Sequence, residues 1–274
     1  MAIRLVAVDL DGTLLTAKQE IPARVRQAVA QAAARGIEVV ISTGRSPVEC
    51  GFVLEALPQV RYVIACTGAA VMDVHTGAVM CSCALSADDA RVIYDHLRRF
   101  DGMISFFADG AVYNARWQME EFERYYPEDR KPLFVEKHVI VDDLDEMIRR
   151  RETPVEKFYV SFADRENCLR AREDFSHLPY FATGAGFDDL DIMHPEASKG
   201  KALRQIAELL GLRREEVMAI GDSGNDEAML RYAGTGVAME NGDPALKAIA
   251  DHIAPSNEDG GVGYMIEKII QGEI

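Results

Sequence analysis

Short, almost uninterrupted apolar runs punctuate the chain, and each is followed at once by small or charged residues. Leu5-Val6-Ala7-Val8, Ile37-Glu38-Val39-Val40-Ile41, Tyr62-Val63-Ile64-Ala65 and Val217-Met218-Ala219-Ile220 have the pattern of strands covered on both faces, as in a parallel sheet. Between them the apolar period becomes helical. Pro22 opens a helix with Val25, Ala28, Val29, Ala32 and Ala33 at helical spacing, and Gly36 closes it. Ser198 is a good N-cap for another, with Leu203, Ile206, Ala207 and Leu210 on one face and Gly211 at its end. A helix over 227–232, a strand over 235–238 and a helix over 244–250 continue the alternation. Strands alternating with helices predict right-handed parallel crossovers, and in such sheets ligands collect beyond the carboxyl ends of the strands.

The rhythm changes after residue 84. Residues 103–108 and 111–116 flank Asp109-Gly110, the signal of a two-residue hairpin, and an antiparallel pair does not belong in the sheet just described. A helix carrying Trp117, Phe122 and Tyr125 is expected next, then a strand over 157–163 and a helix capped by Asp164. Tyr180-Phe181-Ala182 and Leu190-Asp191-Ile192 continue the strand pattern. The fold class predicted is α/β, with a doubly wound, mostly parallel sheet core from residues 1–84 and 190–274 and an inserted α+β domain at 85–189.

The chain has 274 residues and a formal net charge of −15, a balance that argues against nucleic acid or an anionic membrane surface as partner, since both demand clustered Lys and Arg. No apolar run approaches the roughly 20 residues that span a bilayer, and the first strand begins too early for a signal peptide, so a cytoplasmic location is expected. The five cysteines (Cys50, Cys66, Cys81, Cys83 and Cys168) lack Cys-x-x-Cys spacing and read as reduced thiols. His194 reads as a loop bystander.

Chemistry concentrates where strands end. In Asp9-Leu10-Asp11-Gly12-Thr13, two carboxylates one residue apart project the same way if the backbone is still extended, so Asp9 and Asp11 should sit together. Like charges so placed repel, and a hard cation such as Mg²⁺ is the usual resident. Thr43-Gly44-Arg45 follows the second strand, Lys199 opens a helix, and Gly221-Asp222-Ser223-Gly224-Asn225-Asp226 follows a later strand. Each of these alone has a plain structural reading: Thr43 as a turn residue, Lys199 as a solvated first-turn lysine, Asn225 and Asp226 as caps, Arg45 as a surface residue opening a helix. Together they suit transfer of a phosphoryl group to a carboxylate, with metal and lysine offsetting the charge.

In that order these four segments resemble the motifs of the haloacid dehalogenase-like hydrolases, and the layout is most similar to the Cof-type sugar-phosphatase subfamily, whose extra cap domain likewise falls between the second and third motifs. Gly236-Val237-Ala238-Met239 and Asn257-Glu258-Asp259-Gly260-Gly261-Val262 extend the likeness to the end of the chain. The resemblance implies a HAD-like Rossmannoid core and a Mg²⁺-dependent phosphatase of small phosphomonoesters such as sugar phosphates. It implies Asp9 as nucleophile forming an aspartyl-phosphate, and Asp11 as the acid and base of the two steps. Asp9, the Asp11 backbone carbonyl and Asp222 would hold Mg²⁺, with Asp226 behind them. Thr43, Gly44, Lys199 and Asn225 would bind the phosphate, and the cap would close to exclude water. Members commonly carry Asn-Gly where this chain has Thr67-Gly68, which leaves the reach of Thr67 toward substrate open.

The expected partner is a small-molecule phosphate ester, and the oligomeric state is left open, with a homodimer as one arrangement. Two rival readings stand beside the hydrolase. A phosphotransferase or phosphomutase would pass the phosphoryl group to a second substrate, and release of inorganic phosphate separates the two. A receiver-like signalling or binding protein would also use an aspartyl-phosphate, but it would carry it on a later strand and keep it for hours.

Overall fold

The computed structural model describes residues 2–184 and 188–274. The first part of the chain forms β1 (Leu5–Val8), α1 (Ala23–Ala34), β2 (Glu38–Ser42), α2 (Gly51–Ala56), β3 (Tyr62–Ala65), β4 (Ala70–Asp73) and β5 (Ala78–Ser82). The middle forms α3 (Ala87–Leu97), β6 (Gly102–Ala108), β7 (Ala111–Ala115), α4 (Arg116–Glu120), α5 (Lys131–Lys137) and β8 (Val139–Val141). It continues with α6 (Leu144–Arg150), β9 (Lys157–Phe162), α7 (Arg165–Ser176), β10 (Phe181–Thr183) and β11 (Asp189–Met193). The last part forms α8 (Lys199–Leu209), β12 (Val217–Gly221), α9 (Glu227–Tyr232), β13 (Thr235–Met239), α10 (Pro244–Lys247), β14 (His252–Ala254) and α11 (Gly261–Gln271).

These elements fall into two compact units, one made of Met1–Arg45, Cys50–Ser82 and Ser198–Ile274, the other of Ser46–Glu49 and Cys83–Ala197. The first unit is built on an eight-stranded sheet of order β14-β13-β12-β1-β2-β3-β4-β5. From β14 through β3 neighbouring strands are parallel, and β4 and β5 add an antiparallel edge. The uninterrupted apolar run of β1 places it inside this sheet, and all four of its side chains are fully buried. Leu5 and Ala7 pack with Ala202, Leu203 and Ile206 of α8 and with Met229 and Leu230 of α9. Val6 and Val8 alternate to the opposite face. Burying a Leu or Val side chain in this way contributes about 1.5–3 kcal/mol each. The doubly wound, mostly parallel core expected from the sequence is thus present, and β1 pairs in register with both β12 and β2, Val8 lying opposite Ile220 and Ile41. That register sets the residues following the three strands side by side.

The second unit has a six-stranded sheet of order β10-β11-β9-β6-β7-β8, antiparallel except where β7 meets β8. Asp109 and Gly110 both adopt positive φ, 55° and 75°, and close the β6–β7 hairpin between Ala108 and Ala111. Ile104, Phe106, Phe158, Val160, Leu190 and Ile192 form one buried cluster with residues of α3, α6 and α7. Met103, Met119, Phe122, Tyr125 and Phe134 form another.

Three expectations are corrected. Besides the short excursion of Ser46–Glu49, the chain leaves the first unit after Ser82 and returns at Ser198, not at 84 and 190. Leu190-Asp191-Ile192 belongs to β11, paired with Val160, Tyr159 and Phe158 of β9, so this strand is part of the inserted unit's sheet and not of the core. The helix expected to carry Trp117, Phe122 and Tyr125 is broken: α4 ends before Glu121, whose φ of −97° and ψ of 23° leave the helical region, and a 3₁₀ turn over Phe122–Arg124 follows. The break lets Phe122 and Tyr125 share one buried cluster while Trp117 stays exposed.

Candidate active site

The parallel ladder carries the backbone one residue past β1, where the Asp9 amide donates to the Ile220 carbonyl at 3.0 Å. The chain then turns sharply, with the Leu14 amide donating to the carbonyls of Asp9 and Leu10 at 3.2 and 3.0 Å. Gly12 has a φ of 79°, and a Cβ there would lie 2.4 Å from Asp222 Oδ2, so both conformation and space require glycine. Thr13 Oγ1 donates to Asp222 Oδ1 at 3.1 Å. The loop is braced from the far end of the sequence, since Asn241 Nδ2 donates to the Gly12 carbonyl at 2.8 Å and Asn257 Nδ2 to the Leu15 carbonyl at 2.8 Å.

Lys199, the first residue of α8, has no exposed surface. Its Nζ donates to Asp9 Oδ1 at 2.6 Å, to Asp226 Oδ1 at 2.7 Å and to Asn225 Oδ1 at 3.1 Å, which uses all three ammonium donors. Asp226 is also fully buried, and its Oδ2 accepts from the amides of Asp222 and Ser223 at 3.0 and 3.2 Å. Asp226 therefore ties the Asp222 loop to the lysine and caps the turn that follows. Asp9, Asp222 and Asp226 each place a carboxylate oxygen within 4.8 Å of the others.

Electrostatics follow from this crowding. Burial pushes the Asp9 carboxyl well above the usual range, against the opposing pull of Lys199 and with the help of Asp226 and Asp222. Burial, then the Asp226 charge, pushes Asp222 up to about 6. Burial alone would lower the Lys199 ammonium, but the Asp226 and Asp9 carboxylates outweigh it and hold the lysine above its ordinary value. Three carboxylates thus face one ammonium. An all-oxygen donor set with surplus negative charge fits a hard divalent cation, whose charge would offset the burial cost and the repulsion that together raise Asp9 and Asp222.

The sequence-predicted residues are not all brought together. Asp9, Lys199, Asp222, Asn225 and Asp226 converge. Asp11 does not join that carboxylate cluster: β1 ends at Val8, so strand alternation no longer governs Asp11, and its half-exposed carboxylate pairs with Arg45. Arg45 Nε donates to Asp11 Oδ2 at 2.8 Å and Nη2 to Oδ1 at 2.5 Å. Thr43 is buried beyond the end of β2, and its hydroxyl accepts from the Arg45 amide at 3.1 Å, while Gly44 is half-buried in the bend between them. Thr67 sits in a turn with a φ of 56°, its amide donating to the Thr43 carbonyl at 3.0 Å and its hydroxyl buried without a hydrogen-bond partner. Sequence reasoning ranked Arg45 as a surface residue and passed over Gln19 and Asn241. Arg45 directly after Thr43-Gly44 was the available signal, whereas Gln19 and Asn241 stand in no recognisable spacing.

Comparison with known proteins agrees with the motifs. The sequence profile described as haloacid dehalogenase-like hydrolase matches residues 6–266. The Bacillus subtilis protein YxeH is 34% identical, the match covering 97% of this chain and 98% of that one. The B. subtilis 5-amino-6-(5-phospho-D-ribitylamino)uracil phosphatase YwtE is 28% identical over 99% of both. Among solved structures, a haloacid dehalogenase-like hydrolase from B. subtilis superposes with a TM-score of 0.84 at 27% identity, covering 97% of this chain and 99% of that one.

Proposed function

The chain belongs to the haloacid dehalogenase-like hydrolases, in their Cof-type branch, and from that premise we propose that it is a Mg²⁺-dependent phosphatase of small phosphomonoesters working through an aspartyl-phosphate on Asp9. The observation that carries the reading is the contact of 2.6 Å between Lys199 and Asp9 in a buried group of three carboxylates. The ammonium draws the buried carboxyl back toward its ionised, attacking form against the effect of burial, and it also offsets the charge of an arriving phosphate.

In the first step Asp9 attacks phosphorus, the bond from phosphorus to the ester oxygen breaks, and Asp11 gives its proton to the departing alkoxide. In the second step Asp11 takes a proton from water, the water oxygen attacks the same phosphorus, and the Asp9 carboxylate is regenerated as inorganic phosphate leaves. Lys199 offsets charge throughout, and Thr43, Gly44 and Asn225 bind phosphate oxygens. Asp9, Asp222 and the Asp11 backbone carbonyl would hold Mg²⁺, with Asp226 orienting the set; when bound, the ion supplies charge stabilisation of the transferring phosphoryl oxygens.

Sugar phosphates are the substrate class proposed. Support comes from the relative YwtE, named for a substrate whose phosphate sits on a ribityl chain, that is, on a polyol. The test is a panel of sugar, nucleoside and aryl phosphates assayed with and without Mg²⁺, with Asp9→Asn as the inactive control. Preference for sugar phosphates with stoichiometric phosphate release supports the reading. Transfer of the phosphoryl group to a second organic acceptor without phosphate release overturns it.

A further inference from the structure

The Asp11 carboxylate is held by more than a salt bridge. Besides the two bonds from Arg45, its Oδ1 accepts from Gln19 Nε2 at 3.3 Å, and Gln19 Oε1 in turn accepts from the same Arg45 guanidinium. The guanidinium lies over the Phe52 ring, with Cζ 5.7 Å from the centroid. Its backbone is equally fixed: the amide donates to Thr43 Oγ1 at 3.1 Å and the carbonyl accepts from the Cys66 amide at 2.9 Å. Gln19 is itself set in a left-handed conformation, φ 61°, within the turn closed by its amide on the Thr16 carbonyl. Loops following β1 and β2 therefore converge on one half-exposed carboxylate, and the loop after β3 holds the Arg45 backbone.

A carboxylate offers about four lone-pair sites, two on each oxygen. Arg45 and Gln19 together fill both sites on Oδ1, and Arg45 fills one on Oδ2. These bonds leave a single site, on Oδ2. N–H donors on both oxygens hold the carboxylate in one place with that lone pair unused. A planar guanidinium fork fixes the plane of the carboxylate as well as its place, which an ammonium cannot do.

Resting on the aspartyl-phosphate reading above, we infer that Arg45, with Gln19 as its second hold, is a positioning residue that presents one lone pair of Asp11 Oδ2 to the water that hydrolyses the phosphoenzyme. That water loses its proton to Oδ2, its oxygen bonds to phosphorus, and the bond from phosphorus to the Asp9 oxygen breaks. Arg45 acts only through Asp11, so its loss should slow dephosphorylation and spare transfer to Asp9 from an ester whose leaving group needs no proton.

The experiment uses p-nitrophenyl phosphate, rapid mixing and acid trapping of the ³²P-labelled protein, with the parent enzyme, Arg45→Ala, Arg45→Lys and Gln19→Ala. Expected for Arg45→Ala is a burst of nitrophenolate near one equivalent, a steady-state kcat down by roughly tenfold or more, and trapped phosphoenzyme above the parental level. Arg45→Lys should not restore kcat, and Gln19→Ala should show the same pattern more weakly. A steady-state rate within twofold of the parent in Arg45→Ala overturns the inference, as does a rise in KM alone, which would make Arg45 a phosphate ligand. If Arg45→Ala does not fold, an absent burst in Gln19→Ala overturns it. No trapped phosphoenzyme in any variant or in the parent would instead overturn the aspartyl-phosphate reading itself, whereas phosphoenzyme formed and lost at parental rates in Arg45→Ala strikes only the positioning role.

Discussion

Lys199 and Asp226 are joined at 2.7 Å with neither side chain exposed, so the site's cation and one of its anions are each the other's main compensation for lost water. Breaking such a pair from one side is costlier than never having built it. Lys199→Met should therefore lower stability by about 3–5 kcal/mol as well as abolish turnover, because Asp226 and Asp9 are left buried and uncompensated. Denaturant unfolding of that variant against the double variant Lys199→Met/Asp226→Asn tests this: the double variant should recover part of the loss.

Asp9→Asn should behave oppositely. It removes one of three crowded carboxylates, so thermal stability should be unchanged or raised, while kcat falls by at least about 1,000-fold. Phosphatase assay and thermal melting on the same preparation check both halves.

Chelation should abolish activity, and Mg²⁺ should restore it. Because burial and Asp226 hold the Asp222 carboxyl up at about 6, a bound cation relieves strain already present, and Mg²⁺ should raise the melting temperature by mass action. Asp222→Asn should lose that rise, which a melting series at increasing Mg²⁺ reads directly.

Gly12→Ala should lower both activity and stability. A methyl at that position meets Asp222 Oδ2 at 2.4 Å in a backbone conformation that L side chains avoid, a combination expected to cost about 1–3 kcal/mol. Activity should fall further than stability accounts for, since the clash displaces Asp222. Retention of parental kcat would show that Asp222 can shift without consequence.

The second unit has its own acid-sensitive contact. Glu49 Oε2 accepts from the amide and hydroxyl of Ser46 at 2.8 and 2.7 Å, and His138 Nε2 lies 3.7 Å from Oε1. Burial works to raise this carboxyl, but His138 and Ser46 outweigh it and hold it down at about 2. A depressed native value means stability that is fully present above the unfolded carboxyl's range and lost as pH falls from about 4.5 toward 2. Glu49→Gln should remove that part of the pH dependence, on the order of 1–2 kcal/mol, in urea titrations at pH 3 and pH 6.

Much of the site was legible because its chemistry sits at strand ends. Apolar runs mark β1, β2 and β12 plainly, and a parallel sheet brings the residues after them side by side, so Asp9, Thr43 and Asp222 could be grouped without coordinates. Asp11 could not be placed, because the argument from strand alternation stops where the strand does, one residue before Asp9. Arg45 was undervalued for the same reason: what an arginine meets depends on the path of two other loops, one carrying Gln19 and one carrying Asp11. The strand around Leu190 and Ile192 was seen, but its alternation fits either sheet, and only its pairing with Val160 and Phe158 assigns it to the inserted unit.

The pairing of β1 with β12 has a consequence during synthesis. Asp9 is translated 190 residues before Lys199, the residue that compensates it, and Asp222 and Asp226 are made later still. A ribosome-bound chain carries Asp9 for most of its growth without Lys199, Asp222 or Asp226, so premature termination upstream of β12 yields fragments in which this group of charges cannot assemble. Such long-range ladders are slow to form.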